Sequence, residues 1–139
     1  MRNNTISSVA PEVLRKRNPF TVKAERLRDV KSEQPEEGSL IYFPIRLFLH
    51  PTETIGGDLL TLDDIDFVSY RLDPSFPQPV RVARSRTNAF ELTIWTYGFF
   101  RVDATIYTTW NQAFVIKGVS LEWTVTDEEK KVNGSELQW

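Results

Sequence analysis

Two neighbouring segments of this chain alternate between apolar and polar residues, and this alternation constrains the fold more than any other feature. The segment 89–95 reads AFELTIW, and the segment 100–108 reads FRVDATIYT. Successive side chains of a β-strand point to opposite faces, so each pattern predicts a strand with one apolar face. Between them, Thr96-Tyr97-Gly98 predicts a tight turn.

Three further segments have the composition of strands, namely 40–49, 66–72 and 115–125, and the short segment 80–83 is expected to pair briefly. Pro44 lacks a backbone N–H, so the segment that contains it is predicted to be an edge strand or to carry a bulge. Gly118 predicts a bulge in the last strand. Strands separated by turns, without helical periods, indicate an all-β protein, an immunoglobulin-like antiparallel β-sandwich over residues 39–126.

The two ends of the chain have a different composition. Residues 1–38 form a basic, partly flexible N-terminal extension and linker in this interpretation, with the basic cluster Arg15-Lys16-Arg17 as a solvated arm. Within it, residues 21–31 favour a short helix by propensity, and a strand that joins the sandwich is the alternative. Residues 127–139 form a polar C-terminal tail that is expected to fray, with Trp139 as a candidate for docking.

Composition excludes several classes of function. A net charge of −2 argues against general nucleic-acid binding, and the absence of cysteine excludes disulfides and thiolate chemistry. The N-terminus lacks the apolar region of a signal peptide, and no apolar run approaches the roughly 20 residues that span a bilayer. We therefore expect a soluble, cytoplasmic protein without a membrane span.

Candidate catalytic groups are scarce. His50 is the single histidine, and no partner for a Ser-His-Asp, Cys-His or paired-histidine site can be assembled from spacing. Asp63, Asp64 and Asp66 lack the glycine and closing glutamate of a calcium loop, which favours solvated turn residues. The sequence predicts a protein that is not an enzyme and that uses no metal or cofactor.

A proline-rich loop suggests recognition instead. The segment 70–82 reads YRLDPSFPQPVRV, and its prolines predict a stiff loop with Ser75 and an exposed Phe76 at the tip. If this loop and the turn at Tyr97 share one end of the sandwich, Phe76 and Tyr97 form opposing walls of a slot. The Ser75 hydroxyl and the turn amides would form its floor, which suits a flat group that contains an amide. The alternative is that Phe76, Tyr97 and Phe99 anchor their loops in the core.

The runs VSYRLDPSFPQPVRV and AFELTIWTYGFFRVDATIY together resemble the YEATS family, specifically its prokaryotic branch. The resemblance covers roughly residues 40–125 and implies an immunoglobulin-type sandwich. The eukaryotic members read acetyl-lysine and longer acyl-lysines, notably on histone tails. The prokaryotic branch is similar to modules of bacterial signalling or conflict systems.

Carried over by position, the resemblance assigns roles to five residues. Ser75 would supply the loop hydroxyl, Phe76 one aromatic wall and Tyr97 the opposing ring, with Thr96 and Gly98 beside it in the turn.

Three residues depart from the pattern of the family. Asp73 stands where the family usually has histidine, which favours a cationic ligand or a pocket that no longer takes acyl-lysine. Thr96 replaces the usual glycine before the aromatic residue and would reshape the turn. Phe99 is bulkier than the usual residue and would partly fill the slot.

We therefore predict a recognition module that binds a protein or peptide partner bearing an acyl-lysine or a similar modified group. The expected ligand-binding residues are Asp73, Ser75, Phe76, Thr96, Tyr97, Gly98 and Phe99. The alternative is a structural subunit of a bacterial defence assembly. It would make contacts, or form oligomers, through the basic arm and an edge strand at 40–49.

Overall fold

Seven strands form two antiparallel sheets in the computed structural model, which describes residues 16–52 and 57–137. The strands are β1 (Phe20–Arg26), β2 (Phe43–Pro51), β3 (Ile65–Arg71), β4 (Val80–Ala83), β5 (Leu92–Thr96), β6 (Phe100–Thr108) and β7 (Ala113–Leu121). One sheet has the order β1-β2-β5 and the other has the order β4-β3-β6-β7. The predicted all-β, immunoglobulin-like antiparallel sandwich is confirmed.

The core lies between the two sheets, and the predicted alternation decides which side chains enter it. On β6, Phe100, Val102, Ala104 and Ile106 are all buried. On the facing sheet, β2 buries Phe43, Ile45, Leu47 and Leu49 in the same way, and Pro44 is buried as well. Apolar burial of this kind is the dominant favourable term in folding.

One buried hydroxyl links the sheets. The Tyr70 side chain of β3 is fully buried, and its hydroxyl donates a hydrogen bond of 2.8 Å to the carbonyl oxygen of Phe90, just before β5. Burial raises the pKa of this hydroxyl above its usual value. The bond satisfies a polar group that would otherwise destabilise the core.

The predicted bulge at Gly118 is confirmed. Val102 and Ala104 of β6 pair with Val119 and Ile116 of β7, so β7 contains one more residue than β6 over this interval. Gly118 takes a positive φ of 63°, which glycine adopts without steric cost, and its amide donates to the Asp103 carboxylate at 2.7 Å.

The expected helix over residues 21–31 is wrong, and the alternative strand is correct. Phe20 and Val22 are buried on one side of β1, and the whole strand pairs with β2, from Phe20 opposite Pro51 to Arg26 opposite Ile45. Ladder hydrogen bonds and burial outweigh a weak helix propensity. The smaller sheet therefore takes one strand from the range that the sequence assigns to the N-terminal extension.

The prediction that Pro44 marks an edge strand or a bulge is also wrong. β2 is the central strand of its sheet, between β1 and β5, and Pro44 pairs in register with Trp95. The Pro44 carbonyl accepts from the Leu27 amide, one residue past the end of β1. The Pro44 nitrogen faces the same side of β2. Its neighbour there, Leu27, lies beyond the last ladder pair of β1, which is Arg26 with Ile45.

The expectation of a fraying tail is contradicted over residues 127–137. An α-helix, α1 (Asp127–Asn133), is followed by a 3-10 helix over Gly134–Leu137, and both Asn133 and Leu137 are buried. The Thr126 hydroxyl accepts from the Glu129 amide while the Glu129 carboxylate accepts from the Thr126 amide, which forms a capping box. Trp139 lies outside the described residues.

Part of the basic cluster is docked and is not a solvated arm. The Lys16 ammonium lies 3.1 Å from the Asp64 carboxylate and 5.8 Å from the centre of the Trp110 ring. The Arg17 amide donates to the Asp58 carbonyl at 2.9 Å. Arg15 lies outside the described residues. Across the described ranges, no helix has the length and apolar composition needed to cross a membrane.

Candidate functional site

A cavity of about 590 Å³ lies where the loop after β3 meets the turn after β5. We call residues 73–79 the Pro loop and residues 96–99 the aromatic turn. The cavity is lined by Tyr42, Asp73, Ser75, Phe76, Pro77, Trp95, Thr96, Tyr97, Gly98, Phe99, Phe100 and Glu136. The structure therefore gathers all seven predicted residues around one cavity, and their assignment to ligand binding stays a prediction.

Hydrogen bonds within its own sequence neighbourhood hold the Pro loop. The Leu72 amide donates to the Pro79 carbonyl at 2.7 Å, which closes the loop. The Asp73 carboxylate accepts from the Ser75 amide at 2.9 Å, and the Arg81 guanidinium donates to the Pro77 carbonyl at 2.8 Å. Short-range bonds of this kind, with the fixed φ of proline, make the loop stiff.

The Phe76 ring is half-buried, so the expectation of an exposed side chain is wrong. Its ring centre lies 5.2 Å from that of Phe100, at a tilt of 53°, and it packs against the core. The Arg81 guanidinium lies 5.9 Å from the ring centre. Both alternatives from the sequence apply to Phe76, since it lines the cavity and also anchors its loop in the core.

The hydroxyl of Thr96 closes the aromatic turn. It donates to the Gly98 carbonyl at 3.1 Å and accepts from the Gly98 amide at 3.4 Å, and Thr96 is only 5% exposed. Thr96 therefore supplies a side-chain brace to the turn.

The other two aromatic walls each have their own support. The Tyr97 ring meets the Tyr42 ring edge-on, with centres 5.5 Å apart. The Phe99 ring meets Trp123 edge-on at 4.6 Å and packs against the core, while it also lines the cavity. Edge-to-face contacts at these separations are favourable. Contacts within the protein therefore hold both rings in place.

The C-terminal segment, residues 126–137, completes the site. The Asn133 side chain donates to the Tyr97 carbonyl at 2.8 Å and exchanges two hydrogen bonds of 2.9 Å with the backbone of Ile41. The Phe99 amide donates to the Glu136 carbonyl at 2.9 Å, and Glu136 lines the cavity. The aromatic turn is thus held by residues far away in sequence.

Five of the twelve lining residues were not among the predicted ligand-binding residues: Tyr42, Pro77, Trp95, Phe100 and Glu136. The capping-box pattern Thr126-x-x-Glu129 was a usable signal for a helix start in the tail. No local pattern indicates that this helix returns to the aromatic turn, because that contact depends on the assembled sandwich.

The charged residues of the lining are both acids, Asp73 and Glu136. Hydrogen bonds from Ser75, first of all from its backbone amide, lower the pKa of the Asp73 carboxyl, so this exposed group is ionised at neutral pH. A second cavity of about 210 Å³ shares Tyr42 and Trp95 with the first and is also lined by Glu33 and Pro35.

The groups considered for chemistry lie elsewhere. The His50 ring is on β2, 6.2 Å from the Phe48 ring, and does not line the cavity. Asp64 accepts from the Thr61 amide and pairs with Lys16. Over residues 16–52 and 57–137, no group of three or more histidine, cysteine or acidic residues is arranged to hold a metal ion.

Comparison with protein families identifies the region that carries this site. The family model of the prokaryotic YEATS domain matches residues 54–115. The resemblance to the prokaryotic YEATS branch is confirmed. The matched stretch contains both the Pro loop and the aromatic turn, whereas β1, β2 and the C-terminal segment lie outside it.

Several solved YEATS structures are similar to this chain. One is the YEATS domain of Yaf9 recognising an H3K122suc peptide, with 18% identity, a TM-score of 0.48, and coverage of 79% of this chain and 72% of that chain. Another is the same domain bound to H3K27ac, with 16% identity, a TM-score of 0.48, and coverage of 77% and 70%. A structure of this yeast AF-9 homolog shows 18% identity, a TM-score of 0.48, and coverage of 77% and 69%. No curated protein sequence matches the chain.

Proposed function

We propose that this protein is a non-enzymatic recognition module that binds a peptide partner. The Pro loop and the aromatic turn take an acylated lysine, or a similarly modified side chain, into the cavity between them. The observation that carries the proposal is that seven residues predicted from the sequence, all within the stretch matched by the YEATS model, line one cavity.

The size and walls of the cavity support this function. A volume of about 590 Å³ falls in the range of small-molecule and side-chain pockets. Six of its twelve lining residues are aromatic, which suits a flat or polarisable group that inserts between rings. Phe76 rests on Phe100 and Tyr97 on Tyr42, so little ordering entropy is lost when a ligand enters.

The alternative is a structural subunit that pairs one of its strands with a partner. It requires a different edge strand from the one predicted at residues 40–49. β2 is central and offers no free edge, so strand addition at residues 40–49 is not available. β7 is an edge strand of the larger sheet and exposes Val115, which favours it as the pairing strand in this second candidate.

Titration of the full chain with lysine peptides tests the proposed function. Peptides of one sequence that carry acetyl-, crotonyl- or methylated lysine are titrated by calorimetry into the wild type and into Phe76→Ala and Tyr97→Ala. We expect at least one peptide to bind and each variant to weaken it by about tenfold or more, as for central aromatic contacts.

Phe67→Ala is the matched control. Phe67 stacks on Tyr107 with ring centres 4.6 Å apart and does not line the cavity, so its removal should leave the affinity unchanged. Binding that survives both cavity substitutions, or no binding of any peptide, would show that the proposal is wrong.

A further inference from the structure

We infer that the cavity selects a lysine side chain that keeps its positive charge, such as a methylated lysine, over a neutral acyl-lysine. The inference rests on the proposed function and names the charge of the group that the same cavity takes. Three features of the lining support it.

The first feature is the sign of the charge around the cavity. None of the twelve lining residues is lysine or arginine, while two of them, Asp73 and Glu136, are acidic. Glu33 adds a third carboxylate in the smaller cavity that shares Tyr42 and Trp95. A cleft lined by one sign of charge concentrates ligands of the opposite sign.

Arg81 is a cation beside one of the walls, and its guanidinium is bonded to the Pro loop. Its guanidinium donates to the carbonyl oxygens of Pro77 and Gln78, at 2.8 and 3.1 Å. It therefore braces the Pro loop, and it is not among the residues that line the cavity.

The second feature is the aromatic content of the walls. Tyr42, Trp95 and Tyr97 lie on the side of the cavity formed by the smaller sheet, and Trp95 is 40% exposed. The faces of such rings carry partial negative charge and attract ammonium groups, most strongly methylated ones that are poorly hydrated. Rings and carboxylates together therefore favour a cation.

The third feature is that three amides of residues around the cavity already have hydrogen-bond partners. The Gly98 amide is bonded to the Thr96 hydroxyl, and the Phe99 amide is bonded to the Glu136 carbonyl. The Ser75 amide is bonded to Asp73. An acyl carbonyl could use these three amides only by displacing a bond, whereas a methylated ammonium needs no donor from the protein.

Four peptides of one sequence, with a central lysine, trimethyl-lysine, acetyl-lysine or succinyl-lysine, test the inference by fluorescence anisotropy. We expect trimethyl-lysine to bind about tenfold more tightly than acetyl-lysine, and succinyl-lysine to bind most weakly. In the double variant Asp73→Asn, Glu136→Gln, the preference for trimethyl-lysine should fall at least about threefold.

The double variant is chosen to preserve the fold. Asparagine keeps an acceptor for the Ser75 amide, and glutamine at 136 leaves the backbone carbonyl that holds the Phe99 amide. The matched control is Asp66→Asn with Glu128→Gln, which removes the same charge at two exposed positions outside the cavity and should leave the preference unchanged.

The outcomes separate this inference from the function on which it rests. Acetyl-lysine that binds as tightly as trimethyl-lysine, with Phe76→Ala weakening it, overturns the inference and retains the proposed function. A preference for trimethyl-lysine that persists in the double variant overturns the role of the carboxylates. If none of the four peptides binds, the proposed function and the inference both fail.

Discussion

The Pro loop and the aromatic turn line the same cavity but are held in different ways. Every hydrogen bond described for the Pro loop joins residues within 72–81, from the Leu72 amide on Pro79 to the Arg81 guanidinium on Pro77. The aromatic turn has one internal brace, at Thr96, and its Tyr97 carbonyl and Phe99 amide are bonded to the C-terminal segment. The bond from Asn133 to Tyr97 spans 36 residues of sequence.

This difference indicates that the two walls of the site respond to different parts of the chain. The Pro loop keeps its shape as long as β3 and β4 are paired. The aromatic turn also needs α1, which the Arg26 guanidinium holds to the smaller sheet through two bonds of 2.7 and 2.8 Å to Glu129. A perturbation of the C-terminal segment should therefore move one wall and leave the other in place.

The largest expected effect comes from Gly98→Ala. A Cβ at this position would lie 2.5 Å from the Glu136 carbonyl oxygen and 3.0 Å from its Cβ, so the C-terminal segment must shift. We expect a loss of about 3 kcal/mol in the free energy of unfolding, measured by urea denaturation.

Two comparisons isolate this contact. Gly38→Ala has no neighbouring atom within 4 Å, but its positive φ of 83° should cost about 1 kcal/mol. In a chain that ends at Asn133, Glu136 is absent, so Gly98→Ala should there cost less than in the full chain. An equal cost in both chains would contradict the dependence of the aromatic turn on the C-terminal segment.

A smaller effect, with a distinct pH dependence, is expected for Glu129→Gln. The hydrogen bond from Arg26 is the main reason that the pKa of Glu129 is lowered from its ordinary value of 4.5. A lowered pKa in the folded state stabilises the protein above the unfolded-state value, and this contribution is lost as the pH falls through the folded-state value. We expect the variant to cost about 1–2 kcal/mol at neutral pH and progressively less as the pH falls through the lowered folded-state pKa of Glu129.

Urea denaturation of the wild type and of Glu129→Gln, from neutral to acidic pH, measures whether their free energies of unfolding converge. Glu128→Gln, at an exposed position on the same helix, is the control. Its free energy of unfolding should differ little from that of the wild type, by an amount that does not change with pH. A cost for Glu129→Gln that does not decline towards acid would rule out the ionised pair as its cause.

The smallest effect is expected for Arg81→Ala, which removes the brace of the Pro loop. Two bonds from a partly exposed guanidinium to loop carbonyls should contribute about 1 kcal/mol. Hydrogen exchange of the Leu72 amide, which closes the loop, should accelerate more than exchange at Phe99. Arg28→Ala, on an exposed loop away from the cavity, should change neither.

The double variant tests whether the two loops are stabilised independently. Since separate bonds hold the Pro loop and the aromatic turn, Arg81→Ala and Gly98→Ala should be additive within about 0.5 kcal/mol. A larger coupling energy would mean that the two walls support each other directly.

Much of the fold was predictable from local patterns. The period of two along β5 and β6 identified the strands and their buried faces, and Gly118 identified the bulge. The turn chemistry of residues 73–79 likewise predicted a stiff loop. These features depend on side-chain direction and backbone preferences within a few residues, which a sequence contains in full.

The errors concern elements whose state depends on distant partners. β1 carries residues that favour a helix, and it is a strand because β2 lies beside it. Pro44 is tolerated in a central strand because β1 ends where its missing N–H would be required. Local propensity differences of at most about 1 kcal/mol per residue are small beside a row of ladder bonds and buried side chains.

The sequence by itself determined the all-β architecture and the residues of both loops, because strand period and proline stiffness are local properties. Only the tertiary structure decided that the tail returns as a helix, that Asn133 and Glu136 hold the aromatic turn, and that the lining of the cavity is acidic. Those contacts join residues tens of positions apart, and they form only when two sheets pack and bring one end of the sandwich together.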